Sequence, residues 1–190
     1  MIFATGNTNK IREVRELLAN HYQILGLEDI GCEEDIPETS PTIAGNALLK
    51  ARYVAEKYQV NCFAEDTGLE VDALNGEPGV YSARYAGEGK DPAANTSLVL
   101  EKLSGQANRR ARFRTVFALI LDGVEHLFEG IAEGHIAETP RGKGGFGYDP
   151  VFIPDGYALT FAEMDSATKN AISHRGKAVR KLLQFLENNP

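Results

Sequence analysis

The stretch Met1-Ile-Phe-Ala-Thr-Gly-Asn-Thr-Asn-Lys10 sets the reading of the whole chain. Met1–Ala4 reads as a short buried strand and Thr5–Asn9 as a small polar turn, after which Ile11, Val14, Leu17 and Leu18 recur at helical spacing. A strand that runs through a glycine turn into a helix gathers free backbone N–H groups and the positive end of the helix dipole at one point. Lys10 adds a positive charge there and Gly6 lets the backbone come close, so the stretch suits a phosphate. An ordinary βα turn with Asn or Thr as the helix cap fits the same residues. It is not a Walker A loop, because G-x-x-x-x-G-K-[ST] occurs nowhere in the chain.

Beyond this start, Tyr22–Leu27 reads as a second strand and Glu28–Thr39 as an acidic loop. Ser40-Pro41 supplies a cap and a first-turn proline for a helix that buries Ile43, Ala47, Leu48, Ala51, Val54, Ala55 and Tyr58 and ends near Gln59. Val60–Ala64 is a short apolar strand ending in Glu65-Asp66-Thr67-Gly68, and Leu69–Ala73 is a second short strand after that turn. Asn75–Tyr85 is a structured loop rich in Gly and Pro, and Asp91-Pro92 opens another helix. Ala111–Leu121 and Val124–Ile136 are strands joined by Asp122-Gly123, a tight hairpin signal. Gly142–Gly147 is a glycine-rich turn, Val151–Ile153 a short strand, and Thr160-Phe-Ala-Glu163 a capping box. Ser173 caps a last helix in which Val179, Leu182, Leu183 and Leu186 share one face. Helices alternating with strands early and a long hairpin late predict an α/β domain on a mixed sheet. Residues 1–190 form one unit on this reading, with room for a cleft between two lobes.

The bulk numbers narrow the function. At 190 residues, with 43% hydrophobic and 25% charged residues, the chain is an ordinary globular protein with one good core. A net charge of −7 argues against a long nucleic acid backbone, which needs a basic surface. A single nucleotide is compatible, since a local cluster and a divalent cation can meet its few charges. No apolar run is long enough to span a bilayer and the N-terminus shows no signal-peptide pattern, so a cytoplasmic protein without a membrane partner is expected. Cys32 and Cys62 lack metal-ligand spacing and are too few for a disulfide framework, which fits free thiols in a reducing compartment.

Three segments carry candidate chemistry. Glu65-Asp66 follows an apolar strand, and Thr67-Gly68 is expected to force a turn that leaves a carboxylate at a sheet end, where α/β proteins commonly bind ligands. Hard oxygen ligands suit Mg²⁺, and an acid here can also orient or deprotonate a water; a solvated turn fits as well. In Gly142-Lys-Gly-Gly-Phe-Gly-Tyr-Asp-Pro150 the formal G-x-G-x-x-G match is not a dinucleotide site, since a strand follows it and not a helix. Glycines around Phe146 can instead present its ring for base stacking, with Asp149 accepting a hydrogen bond from a ring N–H; a hairpin with Phe146 in the core is the alternative. In Lys169-Asn-Ala-Ile-Ser-His-Arg-Gly-Lys177, the residues Lys169, His174, Arg175 and Lys177 lie around the start of the last helix, a natural anion site. A solvated basic helix end is the bland reading, though cations at a helix N-terminus oppose the dipole. Arg110, Arg112 and Arg114 alternate onto one face of a strand, read as solvated or as an interface.

Together the segments resemble the inosine triphosphate pyrophosphatase family, the pyrophosphatases of nonstandard purine nucleoside triphosphates. The matching pieces are Thr5-Gly-Asn-Thr-Asn-Lys10, Asn46-Ala-Leu-Leu-Lys-Ala51, Glu65-Asp-Thr-Gly-Leu69, Pro78-Gly-Val-Tyr-Ser-Ala-Arg-Tyr85, Gly144-Gly-Phe-Gly-Tyr-Asp-Pro150 and Ala171-Ile-Ser-His-Arg-Gly-Lys-Ala178. They occur in the family's order and span nearly the whole chain. The resemblance implies an elongated mixed β-sheet flanked by helices, two lobes with a central active-site cleft, a homodimer, and Mg²⁺-dependent cleavage of ITP, dITP or XTP to monophosphate and pyrophosphate. It also implies roles for residues. Thr5, Gly6, Asn7, Thr8, Asn9 and Lys10 would bind the triphosphate; Asp66 would be the catalytic acid that holds metal and activates water; Glu38 would be a second metal ligand; and Thr67 would touch the substrate. Phe146, Gly147, Tyr148 and Asp149 would take up the base, with Lys169, His174 and Arg175 completing its pocket.

Two departures stand out. Family members often show Glu-Asn-Ala where this chain has Gly45-Asn46-Ala47, and Asp-Asp-Ser-Gly where it has Glu65-Asp66-Thr67-Gly68. The second keeps a carboxylate and a hydroxyl; the first loses an acid. A pyrophosphatase for other modified nucleotides and a nucleotide-binding regulator without turnover are the competing readings. Glu38, Asp66 and Lys10 occurring together favour turnover, because a sensor needs no metal-and-water constellation.

Overall fold

The computed structural model describes residues 1–18 and 21–189. Five strands form one sheet in the order β1-β2-β3-β4-β5. The strands are β1 (Ile2–Phe3), β2 (Cys62–Val71), β3 (Arg110–Leu121), β4 (Val124–Ile136) and β5 (Phe152–Pro154). β1 runs parallel to β2, with Ile2 opposite Cys62, and β5 runs antiparallel to β4, with Ile153 opposite His135, so the sheet is mixed as expected. Asp122 and Gly123 have φ of 51° and 80°, the left-handed pair that a two-residue hairpin needs between β3 and β4. The helices are α1 (Thr8–Leu18), α2 (Ile43–Tyr58), α3 (Pro92–Lys102), α4 (Ser166–Ile172) and α5 (His174–Asn188). Among the described residues no helix is long and apolar enough to cross a membrane.

The chain divides into two compact units, one of Met1–Asp66, Thr115–Gly130 and Arg175–Pro190, the other of Thr67–Arg114 and Ile131–His174. The first has its core where Phe3, Phe63 and Phe117 stack, with Val14 and Leu18 of α1 and Val179, Leu182 and Leu186 of α5 packed on them. The second centres on Phe113, Phe152 and Phe161, joined by Leu69 and Val71 of β2 and by Val99 and Leu103.

Several expectations need correction. Tyr22–Leu27 forms no strand; only Leu25 bridges to Ile2. The cap of α2 is Thr42 and not Ser40, since the Thr42 side chain accepts the Gly45 N–H at 3.0 Å. The turn expected at Thr67-Gly68 does not exist, and β2 runs unbroken from Cys62 to Val71. Burial explains this: Glu65 and Asp66 find partners on opposite faces, and the strand is enclosed on both, so its ladder continues. Ser173 stands directly before α5 as expected, but Lys169 belongs to a separate helix, α4, capped by Asp165. The thiols Cys32 and Cys62 are free and buried, and burial pushes Cys62 up to about 11, so it is inert at neutral pH. The arginine ladder is ion-paired, Arg110 to Asp155 at 2.7 Å and Arg112 to Glu70 at 2.6 Å.

Candidate active site

Alternation along β2 fixes the site of the first unit. Phe63 and Glu65 face α1 and α5, whereas Cys62 and Asp66 face α2, where the Cys62 thiol donates to the Ala51 carbonyl at 3.3 Å. Lys50 of α2 donates its Nζ to Glu38 at 2.5 Å and to Asp66 at 3.3 Å, and Asn46 Nδ2 lies 3.5 Å from the other Asp66 oxygen. Asn46 and Lys50 are four residues apart, hence on one helix face. Glu38, which the sequence left in an acidic loop, is thus brought onto the same ammonium as Asp66. Burial pushes the Asp66 carboxyl above the ordinary aspartate range; the Glu38 charge adds to this, and Lys50 and Lys10 oppose it. Burial works against the Lys50 charge too, yet Asp66 and Glu38 hold its pKa above the ordinary lysine value.

On the opposite face, Glu65 accepts Nε and Nη2 of Arg175 at 2.6 and 2.7 Å, and Arg175 Nη1 reaches Glu13 at 2.5 Å. Lys10 pairs with Glu65 at 3.1 Å, so the positive charge expected beside the turn is anchored there. Arg175 is 2% exposed. Its guanidinium is engaged by α1 and β2. At the start of α1 the Asn7 side-chain oxygen accepts the Asn9 and Lys10 amides at 3.0 and 3.2 Å, and Thr5 Oγ1 accepts the Asn7 amide at 3.2 Å. The capped βα turn is therefore real. Gly6, Asn7 and Thr8 are exposed, and a Cβ added at Gly6 meets nothing within 4 Å, so a phosphate can approach there.

The second unit holds the remaining candidates. Asp149 Oδ2 accepts the Phe146 amide at 2.8 Å and the Lys169 ammonium at 2.7 Å. Gly145, at φ 67°, wraps so closely that a Cβ would sit 2.1 Å from that oxygen. Lys169 lies over the rings of Phe146 and Phe161, 5.4 and 5.8 Å from their centroids. His174, the first residue of α5, is buried and stacks on Phe113 at 4.5 Å. Phe146 and Gly147 are half-buried, as is Thr67. Tyr148 is buried in the core and donates its hydroxyl to the Ser82 carbonyl at 2.7 Å, and burial raises its pKa. Ser82 Oγ in turn accepts the Leu69 amide at 2.9 Å, which ties the Pro78–Tyr85 segment to β2.

Lys50, Asn46, Glu13 and Ser82 were not singled out from sequence as site residues. Asn46 and Lys50 had a signal, since both belong to the matched segment Asn46-Ala-Leu-Leu-Lys-Ala51 at helical spacing.

Among the described residues no three His, Cys, Asp or Glu side chains converge as a metal site. Mg²⁺ asks for less, usually one or two carboxylates with substrate phosphate and water completing its shell. Glu13, Glu38, Glu65 and Asp66 lie among the cations Lys10, Lys50 and Arg175. On the Asp66 face the Lys50 ammonium reaches both Glu38 and Asp66. That donor set fits a hard divalent cation.

Residues 1–185 match the Ham1 family. The chain belongs to the Ham1 family. Its Ham1 relatives include a protein of Porphyromonas gingivalis named dITP/XTP pyrophosphatase, 57% identical over 98% of this chain and 96% of its own length. A protein of the same name from Flavobacterium johnsoniae is 55% identical over 98% of this chain and 97% of its own. The Ham1 protein of Staphylococcus aureus superposes with a TM-score of 0.90 at 38% identity, over 100% of this chain and 98% of that one. The Coxiella burnetii HAM1 protein gives the same TM-score at 39% identity, over 98% of both chains. The mixed α/β sheet is thus the Ham1 fold.

Proposed function

We propose that the chain clears nonstandard purine nucleotides by Mg²⁺-dependent hydrolysis of dITP, XTP and ITP to monophosphate and pyrophosphate. It is a hydrolase of nucleoside triphosphates, as its Ham1 relatives are named dITP/XTP pyrophosphatase. The observation that carries the rest is the convergence of Glu38 and Asp66 on one ammonium. Glu38 and Asp66 would hold Mg²⁺, which when bound supplies charge neutralisation for phosphate oxygens. A water attacks the α-phosphorus, its proton passing to Asp66, while the bond to the bridging oxygen breaks and pyrophosphate leaves with that oxygen. Asp66 is suited to this because burial makes it a stronger base than an ordinary aspartate. Lys10 and the amides of Thr5–Asn9 offset charge on the leaving group. Phe146 stacks on the base, and Lys169 and His174 direct donors to a 6-oxo group; Arg175, which the family resemblance adds to them, is held by Glu65 and Glu13. Adenine offers an amino group there, leaving buried donors unpaired at roughly 1–3 kcal/mol each. A homodimer, implied by the family resemblance, is checked by sedimentation.

The test is pyrophosphate release from dITP, XTP, ITP, ATP and GTP with and without Mg²⁺. Mg²⁺-dependent release from the first three, with ATP and GTP far slower, is expected. Equal turnover of all five would remove the base reading and keep the metal site; intact triphosphate in the presence of Mg²⁺ would leave a binding protein.

A further inference from the structure

The start of α2 departs from the usual capping arrangement in a way that bears on Glu38 and Asp66. In a capping box the third helical residue is Glu or Gln, and its side chain accepts the backbone N–H of the cap. Here the cap is Thr42 and the third helical residue is Gly45, the position where family members often carry an acid. The Thr42 N–H is not left open; it donates to Ser40 Oγ at 3.2 Å. The serine hydroxyl thus takes the place of the missing acid.

It also takes the space. A Cβ on Gly45 would come 1.9 Å from Ser40 Oγ, 2.7 Å from Ser40 Cβ and 2.8 Å from Thr42 Oγ1. Such approaches are not relieved by rotating one hydroxyl, since the Ser40 Cβ moves only with its backbone. That backbone is engaged: the Ser40 N–H donates to Asn46 Oδ1 at 2.8 Å. Fixing Oδ1 in this way turns Nδ2 of the same amide toward Asp66. Two residues before Ser40, Glu38 meets Lys50. Only Thr39 separates Ser40 from Glu38, and two residues span at most about 7 Å, so little chain is available to absorb a displacement of Ser40 before it reaches Glu38.

We infer that Ser40 and Gly45 are a positioning pair that holds the Glu38 carboxylate and the Asn46 amide against Asp66, and that position 45 admits a side chain only when position 40 gives up its own. Neither residue touches the reacting atoms. The inference rests on the reading of Glu38 and Asp66 as the metal-holding pair.

The experiment measures calorimetric binding of the α,β-imido analogue of dITP to the full chain, in EDTA and in Mg²⁺. Wild type is expected to bind more tightly with Mg²⁺. Gly45→Ala keeps its affinity in EDTA, which depends on Thr5–Lys10, and loses roughly tenfold of the Mg²⁺-dependent gain, the scale of a small misplacement of a binding group. Ser40→Gly combined with Gly45→Glu regains that gain, because the glutamate can accept the Thr42 N–H in space the serine has left. Ser40→Ala, made outside the core, loses part of the gain and carries the test should Gly45→Ala not fold. A full Mg²⁺ gain in Gly45→Ala or in Ser40→Ala overturns the inference, as does a double variant no better than Gly45→Ala. No Mg²⁺ gain in wild type removes the metal reading itself, and this inference with it.

Discussion

Glu65 and Asp66 stand side by side on β2, both buried, with their side chains on opposite faces, and the two meet different partners. On the Glu65 face the two carboxylates Glu13 and Glu65 meet two cations, Lys10 and Arg175, and Arg175 grips Glu65 with two donors. On the Asp66 face the Lys50 ammonium reaches both Glu38 and Asp66, and the Lys10 charge also acts on Asp66. A buried charge that is matched and hydrogen-bonded belongs to the architecture, and removing one partner leaves the others stranded. Asp66 differs, because burial disfavours its charged form in spite of the cations near it, and a further positive charge would offset that cost. Two acids one position apart thus meet different surroundings, and on the proposed function Asp66 alone of the two binds metal.

The comparison breaks most sharply under two conservative substitutions. Asp66→Asn is expected to lower pyrophosphate release by roughly 10²–10⁴-fold, the usual loss of a positioned acid–base group. It should not lower the melting temperature at neutral pH. A carboxyl whose pKa is raised by folding is costly in its charged form above that pKa, and the amide removes the cost. Near-normal turnover would take Asp66 out of the chemistry. Glu65→Gln should do the reverse to stability: Arg175 and Lys10 lose their carboxylate inside the protein, which costs about 3–5 kcal/mol. For a chain of this size that lowers the melting temperature by roughly 10 °C. An unchanged melting temperature would mean that Glu65 is not the anchor its contacts indicate.

How far this contrast was legible in sequence depended on how local its cause is. Asp122-Gly123 announced its hairpin because turn chemistry and alternation are both local, and β4 has the expected bounds Val124–Ile136. Thr67-Gly68 carried an equally local turn signal that proved wrong, since enclosure of β2 on both faces overrode it. The acids were visible, but the partners of each were not. Arg175 lies 110 residues from Glu65, and no periodicity links the two. Lys50 looks like a solvated helix lysine until the fold brings Glu38 and Asp66 to it from 12 and 16 residues away. The family resemblance supplied Glu38 and Asp66 as a pair; what it did not supply was the cation between them.

The second unit repeats the contrast on a smaller scale, within Phe146–Asp149. Asp149 is matched by Lys169 and Tyr148 is tied to Ser82, whereas Phe146 is only half-buried. Phe146→Ala is expected to raise KM for every purine triphosphate while leaving kcat near its value, since stacking reads no base edge and contributes about 1–3 kcal/mol per base. An unchanged KM would return Phe146 to the core. Tyr148→Phe removes one buried hydroxyl donor and leaves the Ser82 carbonyl without it, a loss of about 1 kcal/mol read as a small fall in melting temperature. A KM effect as large as that of Phe146→Ala would make Tyr148 a base contact after all.

The finest test separates a proton from a metal at Asp66. Its carboxyl is raised by burial first and by the Glu38 charge besides, so on acidification it takes up a proton earlier than an ordinary aspartate. The protonated form can neither accept a proton from water nor hold Mg²⁺, so kcat/KM falls along an acid limb lying above the usual aspartate range. Lys50 adds no alkaline limb near neutrality, because its pKa is held above the ordinary lysine value. Metal and proton compete for one carboxylate, and metal affinity at such a ligand depends on pH. Each tenfold rise in Mg²⁺ beyond half-saturation should therefore move the acid limb downward by up to about one pH unit. A limb that stays in place while Mg²⁺ still activates would assign the titration to Asp66 as a base alone and leave Glu38 to hold the ion. A limb that moves makes the Asp66 face of β2 the seat of both roles.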